Sequence, residues 1–103
     1  MTVAPHAIRF ETATGTLHVD GRSIQLTGME KRMIALFVER LGEAIAHQEI
    51  RTKVWGESWT GGDEALRVTV NRLRRKFEGN QRKPEILVSV RGIGYRMMGY
   101  RAT

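Results

Sequence analysis

A chain of 103 residues holds about one domain with a single core. With 41% hydrophobic residues and two prolines it reads as globular, and the absence of cysteine excludes disulfides, thiolate metal sites and a thiol nucleophile, a composition that fits the reducing cytoplasm. The net charge of +6 is unevenly placed: residues 1–63 carry 7 basic and 8 acidic side chains, whereas residues 64–103 carry 10 and 3. Such asymmetry points to a polyanionic partner, and to nucleic acid before a membrane. No long amphipathic anchor accompanies the charge, and apolar runs such as Met33 to Val38 fall far short of the ~20 residues that cross a bilayer.

Residues 1–6 read as a loose lead-in, linker or disordered, ahead of a domain over residues 7–103; because this lead-in looks like the end of a linker, a fragment of a longer protein is expected, the alternative being a stand-alone domain. Three short antiparallel strands are predicted around Ile8 to Phe10, Leu17 to Val19 and Ile24 to Leu26, broken at Thr14-Gly15 and at Asp20-Gly21, a strong hairpin signal. Thr27-Gly28-Met29-Glu30 fits a capping box, so a helix should start near Gly28. Its apolar stripe is Met33, Ile34, Phe37 and Leu41, and Gly42 reads as its stop. A second helix is predicted from about His47 to Trp55, with Ile50, Val54 and Trp55 as its apolar set. The loop 56–63 follows, with three glycines and a stranded Trp59. Asp63 is the expected N-cap of a third helix that runs through Phe77 to a stop at Gly79. After a polar loop ending in Pro84, two strands around Gly92-Ile93-Gly94 read as a terminal hairpin. Strands, three helices and a hairpin describe an α+β winged helix-turn-helix, with an N-terminal antiparallel sheet and a C-terminal β-hairpin wing.

The third helix is the informative one. With Leu66 at the centre of the core face, Val70, Leu73 and Phe77 fall within about 40° of it, while Glu64, Val68, Asn71, Arg72 and Arg75 lie opposite. Thr69 and Lys76 flank that outward face on one side, Arg67 and Arg74 on the other. A major groove asks for such a mixture: Arg donates twice to guanine, Asn pairs with adenine, and an aliphatic group meets the thymine methyl. Flanking Arg, Lys and Thr suit phosphates, which set register without reading sequence. Taken alone, the helix is equally compatible with a solvated basic surface, and less so with an acidic protein groove.

The hairpin shifts the balance. Arg91 stands at its tip, where Gly92 and Gly94 permit a left-handed turn and close backbone approach, and an arginine on a narrow projection suits the negative potential of a compressed minor groove. Ser89 and Tyr95 are placed to donate to phosphates from the adjoining strands. The competing reading is an ordinary exposed hairpin with Tyr95 packed on the core.

"LTGMEKRMIALF", "VWG", "LRVTVNRLRRKF" and "LVSVRGIGYRM" together resemble the successive signatures of the OmpR/PhoB-type winged-helix effector domain of bacterial two-component response regulators, over roughly residues 7–98. The resemblance implies a four-stranded N-terminal sheet, three helices and a C-terminal hairpin, and so adds to the three strands read from the residues one short strand between the first and third helices. It implies a third helix in the major groove of double-stranded DNA and a wing in the neighbouring minor groove, with recognition roles on Val68, Thr69, Asn71, Arg72 and Arg74 and wing roles on Ser89, Arg91 and Tyr95. Combined with the helical phase, this assigns Val68, Asn71 and Arg72 to bases, Thr69, Arg74, Arg75, Ser89 and Tyr95 to phosphates, and Arg91 to the minor groove. It also implies pairing of two copies on tandem half-sites, the isolated domain being monomeric, and contact of the 56–63 loop with RNA polymerase. Trp59 is then either a polymerase anchor or a cap on the core. Three positions depart from the family pattern: Glu64 stands where a basic residue is common, Arg67 where an acidic one is frequent, and Lys31 where an aromatic is usual.

Catalysis and cofactors find little support. His6, His18 and His47 are scattered over distant elements without metal spacing, and Gly92-Ile93-Gly94 is a lone G-x-G that opens no helix. The sequence is therefore expected to specify a DNA-binding transcription regulator without metal, cofactor or membrane segment. The alternative is a winged helix that binds protein or RNA through its basic surface.

Overall fold

The computed structural model describes residues 5–102. In chain order it comprises β1 (Ala7–Glu11), β2 (Thr16–Val19), β3 (Arg22–Gln25), α1 (Gly28–Glu39), β4 (Ala44–Ala46), α2 (His47–Trp55), α3 (Glu64–Phe77), β5 (Leu87–Val90), β6 (Gly94–Met97) and β7 (Tyr100–Arg101). The α+β winged-helix architecture expected from the sequence is the one observed.

The β2–β3 hairpin forms as its turn chemistry dictates. Val19 pairs with Arg22, and Asp20 and Gly21 both take left-handed φ values, +51° and +83°, which matches the twist of the flanking strands. The Thr27–Glu30 capping box starts α1, with the Thr27 N–H donating to Glu30 at 2.9 Å. This helix ends earlier than expected, at Arg40; Gly42 (φ +88°) lies beyond it, donating its N–H to the Met97 carbonyl at 2.9 Å and turning the chain into β4. The second helix stops at Gly56 (φ +101°), as expected.

Two features differ from the strand expectations. The N-terminal sheet does have four strands, in the order β3-β2-β1-β7, but its fourth is the C-terminal β7, parallel to β1. The short strand after the first helix, β4, belongs to the other sheet and extends the wing hairpin to the order β4-β6-β5. The wing is thereby rooted in the body by three strands. Nor is the lead-in loose throughout: residues 1–4 lie outside the described residues, yet His6 pairs with Asp20 at 2.6 Å and accepts the Tyr100 N–H at 2.9 Å on its carbonyl.

The core lies between the two sheets and the three helices. Ile8 and Leu17 come from the N-terminal sheet, Ile34 and Phe37 from α1, Ile50 and Val54 from α2, and Leu66, Val70, Leu73 and Phe77 from α3, all buried in one cluster. Each such side chain contributes about 1.5–3 kcal/mol when removed from water, so this stripe fixes which face of α3 points out. Among the described residues no helix is long and apolar enough to cross a membrane.

Candidate nucleic-acid interface

With its core stripe seated, α3 exposes Glu64, Arg67, Val68, Asn71, Arg72 and Arg75. Val68 is 40% exposed in the midst of this polar row. Among the described residues Arg67, Arg72 and Arg75 have no ion-pair partner, so three guanidinium groups present their donors to solvent. Arg72 and Arg75 also line a groove of about 370 Å³ between α3 and the start of α1.

The flanks of the helix behave differently. Thr69, expected to donate to phosphate, is only 6% exposed, and its hydroxyl donates to the Ala65 carbonyl at 2.8 Å. Its position about 60° from the centre of the core stripe is near enough to the packed elements to be covered, and its one donor is already used. Lys76 reaches back to α1, donating to the Gln25 carbonyl at 3.0 Å and to Glu30 at 2.6 Å. Burial alone would raise the Glu30 carboxyl, but the Lys76 ammonium and the Thr27 N–H outweigh it and hold the group below the usual carboxylate range.

Arg74 links helix and wing. Its Nε donates to the Leu87 carbonyl at 2.9 Å, its Nη2 to the Ser89 hydroxyl at 3.2 Å, and the guanidinium lies 5.7 Å from the centre of the Tyr95 ring. Tyr95 itself is buried, edge-on to His47 at 5.5 Å. The wing turn is closed by the Ile93 N–H on the Val90 carbonyl at 2.9 Å, leaving Arg91 exposed at the tip. Its two glycines divide the work: Gly92 takes φ +77°, while a Cβ at Gly94 would collide with the Ile45 carbonyl oxygen of β4.

The loop after α2 is held at its far end by the ion pair of Arg51 with Asp63. Asp63 occupies the N-cap position of α3, but its carboxylate serves Arg51 and makes no capping bond. Trp59 stacks on Trp55, ring centres 5.9 Å apart at 27°, and remains 40% exposed.

A family model described as "Transcriptional regulatory protein, C terminal" matches residues 21–97, the stretch from the β2–β3 turn through β6. The chain belongs to this family, the OmpR/PhoB-type effector domains. It is 30% identical over 92 residues to the sensory transduction protein RegX3 of Mycobacterium tuberculosis, covering 89% of this chain and 40% of RegX3. Among solved structures, the DNA-binding domain of Bacillus subtilis CssR is 32% identical, with a TM-score of 0.71 over 88% of this chain and 99% of that one. The Klebsiella pneumoniae RstA DNA-binding domain, in complex with the RstA box, shares the fold at 20% identity, with a TM-score of 0.77 over 93% and 95% of the two chains. The chain thus spans less than half the length of the curated relative.

As an OmpR/PhoB-type domain, the chain brings Val68, Asn71, Arg72 and Arg75 together on one exposed helix face, with Arg91 projecting from the adjoining wing. It withdraws Thr69 from that face and commits two donors of Arg74 within the fold. Sequence reading missed the Arg74, Lys76 and Arg51 tethers. A weak signal existed for Lys76, which shares a flank with Thr69, and for Asp63, which stands ahead of a helix and within reach of any cation on α2.

Proposed function

We propose that this domain binds double-stranded DNA sequence-specifically and thereby regulates bacterial transcription from the cytoplasm, with no catalytic step of its own. The carrying observation is the phase of α3: its core stripe is buried while Val68, Asn71, Arg72 and Arg75 stand exposed, next to a wing that Arg74 ties to the same helix. Val68, Asn71 and Arg72 read base edges in the major groove. Arg75, Ser89, Tyr95 and the uncommitted Nη1 of Arg74 hold phosphates, and Arg91 enters the minor groove. Thr69 drops out of the phosphate set, its hydroxyl being already bonded.

Two copies pair on tandem half-sites while the free domain stays monomeric. The 56–63 loop, with Trp59 laid on Trp55, is the surface that meets RNA polymerase, since a half-exposed aromatic on a rigid stack makes an effective anchor. Selection from a random duplex library tests DNA binding and yields the recognition sequence together. Titrations of the selected duplex, a random duplex and a structured RNA at two salt concentrations should then show tightest binding to the selected duplex and affinities that fall with salt. Preference for the RNA, or duplex binding insensitive to salt, refutes the proposal.

A further inference from the structure

We infer that Glu64 is a further specificity-determining residue, a carboxylate that accepts from the N4 amino group of one cytosine and disfavours DNA lacking it. The inference rests on the DNA-binding reading above. At 100° per residue, Glu64, Val68, Asn71 and Arg75 form one line along the outward side of α3, all within about 60° of one another and opposite the buried stripe. Glu64 is exposed and opens the N-terminal turn, the part of a recognition helix that contacts base edges.

Most acidic groups of the chain are engaged. Glu11 pairs with Arg9, Asp20 with His6, Glu30 with Lys76, Glu43 and Glu49 with Arg40, Asp63 with Arg51 and Glu85 with His6, while Glu78 accepts the N–H groups of Ile86 and Leu87. Among the described residues the carboxylates of Glu39, Glu57 and Glu64 are left without an ion pair or hydrogen bond, and of these Glu64 alone lies on α3. Arg67, one turn away, does not neutralise it, and Glu64 makes no capping bond.

A bare carboxylate facing a polyanion is repelled unless it accepts a hydrogen bond there. In the major groove only adenine N6 and cytosine N4 donate, and adenine sets the acceptor N7 beside its amino group, whereas cytosine sets a C–H. Guanine and thymine offer acceptors alone and reject the group. Glu64 therefore selects cytosine at one position and weakens binding to random sequence, which sharpens discrimination from both sides.

Parallel selections from a random duplex library with the wild-type domain and with Glu64→Gln test this, followed by titration of both proteins with the selected and random duplexes. Wild type should select a cytosine at one position that the variant loses, its preference there falling by about 5- to 150-fold with the other positions kept. The variant should also bind random duplex severalfold more tightly. The same selected sequence from both proteins overturns the inference while leaving the DNA-binding reading intact, even if the variant's melting temperature falls, because that pattern belongs to a carboxylate that only steadies the helix N-terminus. Loss of preference at every position overturns it as well. Wild type that selects nothing and shows no salt-sensitive duplex binding brings down the DNA-binding reading, and this inference with it.

Discussion

Replacing Arg74 by Ala removes a strut between the third helix and the wing, and the cost is predictable from what the side chain touches. The bond from Nε to the Leu87 carbonyl has a charged donor but a half-exposed setting, and is worth about 1 kcal/mol after solvent screening. The longer bond to the exposed Ser89 hydroxyl adds roughly 0.5 kcal/mol, and the guanidinium over the Tyr95 ring about 0.5 kcal/mol. The total of ~2 kcal/mol corresponds to a fall in melting temperature of roughly 8–16 °C for a domain of this size. Thermal unfolding followed by circular dichroism measures it, with Arg74→Lys as the companion, since Lys keeps the charge and loses the planar fork. Both variants should be destabilised, and both should lose affinity for a selected duplex because the wing is no longer held in register with the helix. If Arg74→Ala unfolds within 2 °C of wild type, the strut carries no energy and Arg74 acts on phosphate alone.

Arg72→Ala should cost ~1–3 kcal/mol on the selected duplex and relax the preference at one base pair; equal weakening on random DNA would remove Arg72 from base reading. Arg75→Ala should weaken all sequences alike and flatten the log–log salt dependence by about 0.9, and an unchanged slope would take it out of the phosphate set. Gly94→Ala drives a methyl group into the Ile45 carbonyl and should destabilise by about 3 kcal/mol, measured by urea unfolding, with a normal midpoint showing that β4 and β6 can part without cost. The His6 imidazole is raised above its ordinary 6.5, first by its hydrogen bond to Asp20, against burial and with help from Glu85, while Asp20 is lowered from 3.8, chiefly by His6. The histidine's contribution is complete below 6.5 and lost as pH rises through its higher folded value; that of Asp20 is present above 3.8 and lost as pH falls through its lower one. Wild type should thus lose its advantage over His6→Gln as pH rises above 6.5, and a difference that stays constant as pH rises would show the clamp to be inert.

Local chemistry was readable directly. The Asp20-Gly21 turn, the Thr27–Glu30 capping box and the apolar stripe Leu66, Val70, Leu73 and Phe77 are each written within a few neighbouring residues, and each appears where it was expected. The outward position of Val68, Asn71, Arg72 and Arg75 follows, because a residue opposite a buried stripe has nothing to pack on. Asp63 shows the limit of such reasoning: it stands at the N-cap, yet Arg51 from another helix takes its carboxylate.

What the sequence determined, then, is the three helices and the hairpins, the azimuth of α3 and the side of the chain that carries the charge, since all of these depend on periodicities and on residues close in the chain. Only the tertiary structure decided the flanks of that helix. Thr69, Arg74 and Lys76 lie between core and solvent on the wheel, and their fate depends on what is packed alongside: Thr69 is covered, Arg74 meets the wing, and Lys76 meets the capping box of α1. The same holds for β7, whose two residues form a strand because β1 has an open edge beside them. A helical wheel gives direction about one axis; which neighbour fills that direction is set by contacts between residues far apart in the chain.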